Sequence, residues 1–356
     1  MQPYNVEIFS RSFDLIQHYN VESIDYKFDY LSIQENTVIV PFNDEIKKGD
    51  YVRIKNDKYE FCGYISSLSV DQSFEGYTNI GFRPFMGLFD VNINYLVTGQ
   101  GTGYLESNLA NYIRNYFVNN TDSSQNIFGL EIETISQTSP WTFNYTEDTD
   151  GTNRAIVNLG DMIRSSLTKY SVLVYIEPDF NAKKLRCTIG NKNLSTFNIE
   201  ADLPSVIKRN VIVNENKSDV NKLYVFNKNT MTTGTIFYLH PDGTYDHSDS
   251  NRIEPVIYEI ATVTPSEGKT FSTLADEVAA KQFGNNKKSN LIEITVSNDD
   301  GIVKPKDLEI GQLVTVMTNG AAYASVFTGY EVKDTTKLIF GTIRVDLTKI
   351  LKEALK

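Results

Sequence analysis

Val40-Pro-Phe-Asn-Asp-Glu-Ile-Lys-Lys-Gly-Asp-Tyr-Val-Arg-Ile54, followed after a turn by Phe61-Cys-Gly-Tyr-Ile65, decides how this sequence folds. A proline leads through an apolar residue to a glycine turn at Gly49. From Tyr51 to Lys55 the apolar Val52 and Ile54 then alternate with Tyr51, Arg53 and Lys55. A period of two belongs to a strand with one wet face. The return strand of the hairpin carries Phe61-x-Gly-Tyr64, and a glycine inside a strand marks a bend where a small sheet curls.

The same order of features returns near the C-terminus, where Lys304-Pro-Lys-Asp-Leu-Glu-Ile-Gly-Gln-Leu-Val-Thr-Val316 precedes Phe327-Thr-Gly-Tyr-Glu331. Laid together, the segments set Gly49 against Gly311, Val52 against Val314, Phe61 against Phe327, Gly63 against Gly329 and Tyr64 against Tyr330. Each then meets an arginine-bearing strand, Gly81-Phe-Arg83 or Gly341-Thr-Ile-Arg344. We read the pair as an internal duplication of a small β-barrel. Two unrelated hairpins with ordinary turn chemistry are the alternative.

Outward from these segments the chain divides. Further strands are expected at Val6 to Phe9, Ile24 to Tyr30, Val38 to Pro41 and Glu60 to Ser67, so residues 1–97 are expected to form the first small barrel. Gly99-Gln-Gly-Thr-Gly103 reads as a hinge. Residues 98–203 are α+β: Leu105, Leu109, Tyr112, Ile113, Tyr116 and Phe117 make one helical stripe, and Leu159, Met162, Ile163, Ser166, Leu167 and Tyr170 make another. Strands Val172 to Ile176 and Leu185 to Ile189 follow, turned by Pro178, Asp179 and Asn181. Residues 204–262 and 291–348 form the second barrel, with strands at Val211 to Val213, Leu223 to Phe226, Thr235 to His240, Val256 to Ile260, Leu291 to Val296, Leu313 to Met317, Ser325 to Val332 and Leu338 to Val345. A helical insert, 263–290, carries a helix from Thr273 to Phe283 with a capping box in Thr273 and Asp276 and a stop at Gly284. Residues 349–356 are a tail. The fold class is mainly β with α+β parts.

Bulk properties narrow the function. Of 356 residues, 40% are hydrophobic and 22% charged, the balance of a globular chain with a core. No run of about eighteen apolar residues occurs, and Met1 to Ser10 lacks the basic and apolar regions of a signal peptide, so no membrane insertion is expected. Cys62 and Cys187 lie far apart in expected strands, which fits a chain that folds in a reducing cytoplasm. A net charge of −11 opposes a groove that tracks phosphates.

Chemical motifs are weak throughout. Gly268-Lys-Thr270 lacks the earlier glycine of a phosphate loop, which is Val263 here, and Glu267 would repel phosphate. Gly99, Gly101 and Gly103 do not have dinucleotide spacing. His240, Asp242, Asp246, His247 and Asp249 contain metal-ligating types, but Pro241-Asp-Gly243 between strands reads as a hairpin tip. Glu147-Asp-Thr-Asp-Gly151 lacks the first and last ligands of a calcium loop. We therefore assign no catalytic residue, cofactor or metal site.

Three stretches resemble a known family: Gly49-Asp-Tyr-Val-Arg-Ile with Phe61-Cys-Gly-Tyr-Ile-Ser, Gly81-Phe-Arg-Pro-Phe-Met-Gly-Leu-Phe-Asp90, and Phe340-Gly-Thr-Ile-Arg-Val-Asp-Leu-Thr-Lys349. The family is the central baseplate hub, or tail-tip protein, of tailed phages and prophages, including the structural N-terminal part of tail-associated lysins. The resemblance implies two tube barrels per chain with an α+β domain between them. It implies a homotrimer whose six barrels match a sixfold tail tube. Its implied partners are distal tail or tube proteins, the tape-measure protein and a tail spike or fibre, with DNA passing through an acidic channel without specific binding. The location it implies is the virion tail tip, after assembly in the bacterial cytoplasm. With the chain stopping at Lys356, a peptidoglycan-cleaving extension is expected to be absent, and the protein not to be an enzyme. The rival readings are a carbohydrate- or host-surface-binding β-protein, suggested by 21 tyrosines but opposed by the single Trp141, and a cell-wall hydrolase component.

Overall fold

A computed structural model of the chain describes residues 3–70, 76–96, 104–137, 154–192, 194–213, 220–231, 234–240, 245–250, 252–265, 270–283, 290–298 and 303–342. The hinge at 99–103, Trp141, the acidic loop 147–151, the hairpin tip 241–243, Gly268, Gly284, Arg344 and the tail 349–356 lie outside those residues.

The N-terminal strands are β1 (Tyr4–Phe9), β2 (Leu15–Val21), β3 (Tyr26–Asp29), β4 (Asn36–Pro41), β5 (Tyr51–Lys55), β6 (Glu60–Val70) and β7 (Tyr77–Arg83). All but β3 form one sheet in the order β2-β1-β5-β6-β7-β4. Sequence alternation sets the faces: Val38 and Val40 point into the core while Thr37, Ile39 and Pro41 point out. β2 was not expected from sequence, because Leu15, Gln17, His18 and Asn20 are exposed and the segment gives no alternating signal. It exists through its ladder with β1, from Tyr4 opposite Val21 to Phe9 opposite Leu15.

The middle of the chain holds β8 (Asn92–Leu96), α1 (Leu105–Phe117), β9 (Leu130–Thr134), β10 (Arg154–Asn158), α2 (Leu159–Tyr170), β11 (Leu173–Asp179) and β12 (Lys184–Gly190). Both helices stand where their stripes placed them. Leu105, Leu109, Ile113 and Phe117 are buried on α1, and Leu159, Met162, Ile163 and Leu167 on α2. Asn158 caps α2, its side-chain oxygen accepting the Asp161 amide at 3.0 Å. β8 pairs with β10, and β9 lies parallel to β12 beside β11. The turn after β11 carries Phe180 onto Phe9 and Phe13 of the first sheet, with ring centroids 4.5 and 5.8 Å apart.

The remaining elements are β13 (Phe197–Glu200), β14 (Val206–Val213), β15 (Lys222–Asn227), β16 (Gly234–Leu239), β17 (Tyr245–Asp246), β18 (Tyr258–Val263), α3 (Phe271–Phe283), β19 (Asn290–Ser297), β20 (Leu313–Thr318), β21 (Ala321–Val332) and β22 (Thr335–Phe340). The second large sheet runs β13-β20-β21-β22-β19-β14, and β3 joins it by pairing with β21.

Strand pairing groups several elements differently from the expected division. Strands within 222–263 do not extend the second large sheet; β15 to β18 form a separate sheet that shares a core with α3. Leu223, Val225, Phe237 and Leu239 pack there on Ala275, Ala279 and Phe283. The insert is thus a small α/β unit larger than the helix at 263–290, because the apolar face of α3 needs a sheet to cover it. β3, from the expected first barrel, and β13, from the expected α+β domain, both complete the second sheet. Finally, α3 begins at Phe271, so Thr273 is inside its first turn, where its amide meets Thr270 Oγ1 at 3.3 Å. Thr270 takes the capping position that sequence gave to Thr273. One apolar core runs through both large sheets and the α+β segment.

Candidate functional site

The glycine turns expected at Gly49 and Gly311 share one hydrogen-bonding pattern. Gly49 has φ +93° and Gly311 φ +86°, values that favour glycine. The Gly49 amide donates to the Ile65 carbonyl and the Ile65 amide to the Asp50 carbonyl, at 2.8 and 2.7 Å. Likewise the Gly311 amide donates to Phe327 and the Phe327 amide to Gln312, both at 2.8 Å. The turns before them match too. The Lys47 amide donates to Asp50 Oδ2 at 2.7 Å, and the Glu309 amide to Gln312 Oε1 at 3.0 Å. Burial raises the Asp50 pKa, opposed by the Lys47 amide and by the Arg11 charge.

These bonds set a different frame from the shared Phe-x-Gly-Tyr motif. Val52 lies opposite Gly63, and Val314 opposite Ser325. Ile65 lies opposite Phe82, and Phe327 opposite Phe340. Phe327 is therefore the counterpart of Ile65, not of Phe61, and Tyr330 is the counterpart of Leu68, not of Tyr64. Gly329 corresponds to Ser67, and Arg83 to Gly341. In this frame both return strands bulge at the same place, between Ile65 and Ser67 and between Phe327 and Gly329.

The two motif glycines answer different demands. A Cβ on Gly63 would strike the Arg83 carbonyl on the neighbouring β7, whereas one on Gly329 would strike the Phe28 carbonyl and come within 3.0 Å of the Asp29 Cα on β3. Each permits a backbone to pass closely, and Gly329 is where a strand from the N-terminal segment reaches the second sheet. Val52 and Val314 are fully buried in their own sheets.

Phe61, Phe327 and Tyr330 meet at the seam between the sheets. Tyr26 of β3 stacks on Phe61 with centroids 4.0 Å apart, and Phe61 and Phe327 lie 6.4 and 6.3 Å from Tyr330. Tyr59 adds a polar clasp: its hydroxyl lies 2.8 Å from Thr336 Oγ1 and donates to Asn298 Oδ1 at 3.3 Å. The Val174 amide donates to the buried Tyr30 hydroxyl at 3.1 Å, tying the same region to β11. Burial holds the hydroxyls of Tyr26, Tyr30 and Tyr330 protonated far above their ordinary range. Tyr64 is elsewhere, against Gly87. A cleft of about 520 Å³ opens beside the seam, lined by Tyr26, Phe61, Tyr175, Tyr330, Arg53 and Glu177 among others.

On the polar face of the second sheet, Glu331 meets Lys333 at 3.0 Å and Lys337 at 2.9 Å, and Lys337 also reaches Glu293 at 3.5 Å. Burial disfavours the Glu331 carboxylate, but the hydrogen bonds and charges of Lys337 and Lys333 outweigh it and lower its pKa below 4.5. A depressed folded-state pKa contributes stability above the unfolded value that disappears as pH falls through the folded one. Lys337→Met is expected to lower stability at pH 7 by about 1 kcal/mol. It should also flatten the loss of stability on acidification below about pH 4.5, as read from urea unfolding at a series of pH values. An unchanged acid profile would assign the stability to other groups.

Among its described residues the histidine cluster is not gathered round a common point. His240 Nε2 lies 3.0 Å from Asp246 Oδ1, while His247 Nδ1 donates to the Ile236 carbonyl at 2.7 Å and packs its ring on Phe237. Among the described residues no group of three or more His, Cys, Asp or Glu side chains could hold a metal. Cys187 is buried, which pushes its thiol up to about 12. Among the described residues no helix is long and apolar enough to cross a membrane.

No protein-family description matches the sequence, and no curated protein is significantly similar to it. Solved structures are similar over nearly the whole chain. A tail protein from Neisseria meningitidis MC58 matches with a TM-score of 0.56 and 11% identity, covering 96% of this chain and 97% of that one. The 43 kDa tail protein of prophage MuSo2 from Shewanella oneidensis matches with 0.53 and 14%, covering 96% and 98%. A chain of the phage P2 baseplate in its activated conformation matches with 0.51 and 11%, covering 97% and 100%. The chain has the fold of phage and prophage tail and baseplate proteins.

Proposed function

We propose that this chain is a structural hub of a phage or prophage tail baseplate or tail tip, and that it is not an enzyme. The reading rests on whole-length similarity to tail and baseplate chains, which spans both large sheets and the segment between them. In this reading the two large sheets are related tube barrels, in the frame set by Gly49 and Gly311. Three copies would then present six similar units, a ring that caps a sixfold tube and lines the path of DNA. A net charge of −11 suits a wall along which DNA slides without sticking. Tube proteins on one side, and a tape-measure end or a spike or fibre on the other, are the partners such a ring would hold.

Mass spectrometry of purified tail particles from a lysate expressing the chain tests the role. The chain is expected in the particles at about three copies per tail, counted against a sixfold tube protein. Particles that are complete without it would overturn the reading.

A further inference from the structure

The cleft of about 520 Å³ beside the seam draws its walls from three parts of the fold. β5 and β6 contribute Arg53 and Glu60, β11 and β12 contribute Asp179 and Arg186, and β21 contributes Tyr330. Its volume falls within the range of about 300–1,000 Å³ usual for small-ligand sites, which favour such junctions.

Two guanidinium–carboxylate pairs line it. Arg53 Nε donates to Glu60 Oε1 and Arg186 Nη2 to Asp179 Oδ2, both at 2.7 Å. Each pair is held in place by a further contact. The Arg53 guanidinium lies over the Phe180 ring, 5.3 Å from its centroid, and the Ala182 amide donates to Asp179 Oδ1 at 2.9 Å. Both pairs also stay in reach of a ligand, the Glu60 side chain being 50% exposed and that of Arg186 59%. The half-buried ring of Tyr175 stands between this cleft and a neighbouring one of about 490 Å³. Lys192, which lines only the second of the two, sits over that ring at 5.5 Å, so the opposite face is left to the first.

This arrangement selects a ligand by its chemistry. A guanidinium only donates and a carboxylate only accepts, whereas a hydroxyl does both. Neighbouring hydroxyls can therefore bridge each arginine–carboxylate pair with every donor and acceptor matched. Phosphate is disfavoured, because Glu60, Glu177 and Asp179 set three carboxylates against two arginines that are already paired. A lipid chain is disfavoured as well, since it would strip water from both ion pairs and return no hydrogen bond. A sugar ring carries hydroxyls at its rim and C–H groups on its faces, and the electron-rich face of Tyr175 attracts those C–H groups.

We propose that this cleft binds a neutral saccharide, with its hydroxyls held by the Arg53–Glu60 and Arg186–Asp179 pairs and one ring face on Tyr175. The site goes beyond the hub role and does not depend on it. A true hub can lack saccharide binding, and a saccharide site can exist in a chain that is no hub, so the two fail separately.

The test uses the full chain and a panel of neutral trisaccharides of glucose, galactose, mannose and N-acetylglucosamine, read by saturation-transfer NMR and calorimetry. At least one is expected to bind with a dissociation constant of about 1 mM or tighter. Arg186→Ala and Glu60→Gln are each expected to weaken that binding about tenfold, the loss of a charge-assisted hydrogen bond. Both side chains are exposed, so circular dichroism and the urea midpoint should stay close to those of wild type. Tyr175→Leu removes the stacking ring and should weaken binding as much, and the two surface variants keep the test valid should that protein misfold. No binding by any member at about 10 mM, equal binding by both surface variants, or an about tenfold preference for a phosphorylated form of the same sugar would each overturn the proposal.

Discussion

Gly329→Val is expected to destabilise the chain by at least about 3 kcal/mol and to detach β3 from the second sheet. The valine Cβ would have to occupy the space of the Phe28 carbonyl and the Asp29 Cα, and both are backbone, so no side-chain rotation can relieve the clash. If β3 withdraws, Tyr26 leaves Phe61 and Tyr330, and the Tyr30 amide loses the Thr328 carbonyl. Urea unfolding should show a lower midpoint, and hydrogen exchange should show residues 26–30 losing protection before either sheet opens. A Gly329→Val protein with wild-type midpoint and protected β3 amides would refute the role of that glycine. Ser67 supplies an internal comparison: at the matching place in the first sheet, where no strand crosses among the described residues, a side chain is already present.

Phe61→Ala carries the second large effect. The ring is almost wholly buried, 2% exposed, and contacts Tyr4, Tyr26, Tyr59 and Tyr330, so it belongs to the first sheet by chain and to the seam by packing. Truncation removes the transfer free energy of the ring and leaves a cavity between rings that belong to different elements. The expected cost is about 3–5 kcal/mol. Because the missing contacts join the sheets, the unfolding transition should also broaden or split as the two sheets lose their coupling. A shift below about 1 kcal/mol with an unbroadened transition would show that Tyr59 and Tyr30 hold the seam without it.

Local features of this fold were readable in the sequence, while partners chosen across the chain were not. The turns at Gly49 and Gly311 could be found because a positive φ favours glycine, and β5 because Val52 and Ile54 alternate with polar neighbours. Helices α1 and α2 followed from apolar residues at helical spacing. Tyr26–Asp29 read as a strand from its own residues, but nothing local says that its ladder partner is Gly329–Val332, about three hundred positions later. The Phe-x-Gly-Tyr match misled for a related reason. Both glycines satisfy close backbone approach, yet the approaching strand is β7 in one case and β3 in the other, so like residues stand at unlike positions. The better frame is set by Ile65, four residues after Phe61, and by Phe327 itself, which return a hydrogen bond to the residue after each turn glycine. Lys222–Val263 misled by composition, since strands of a small insert and strands of a large sheet share the same β-branched and aromatic residues.

The crossing of β3 onto β21 also governs the order in which the polypeptide can become native during synthesis. Tyr26–Asp29 leaves the ribosome long before its partner strand exists, and at about 5–20 residues per second the wait lasts on the order of 15–60 s. Throughout that interval the nascent chain carries a finished hairpin beside an unsatisfied aromatic strand, a species that chaperones recognise and that a neighbouring nascent chain on the same message could capture. Synthesis of β21 thus acts as the step that commits β3 to its sheet.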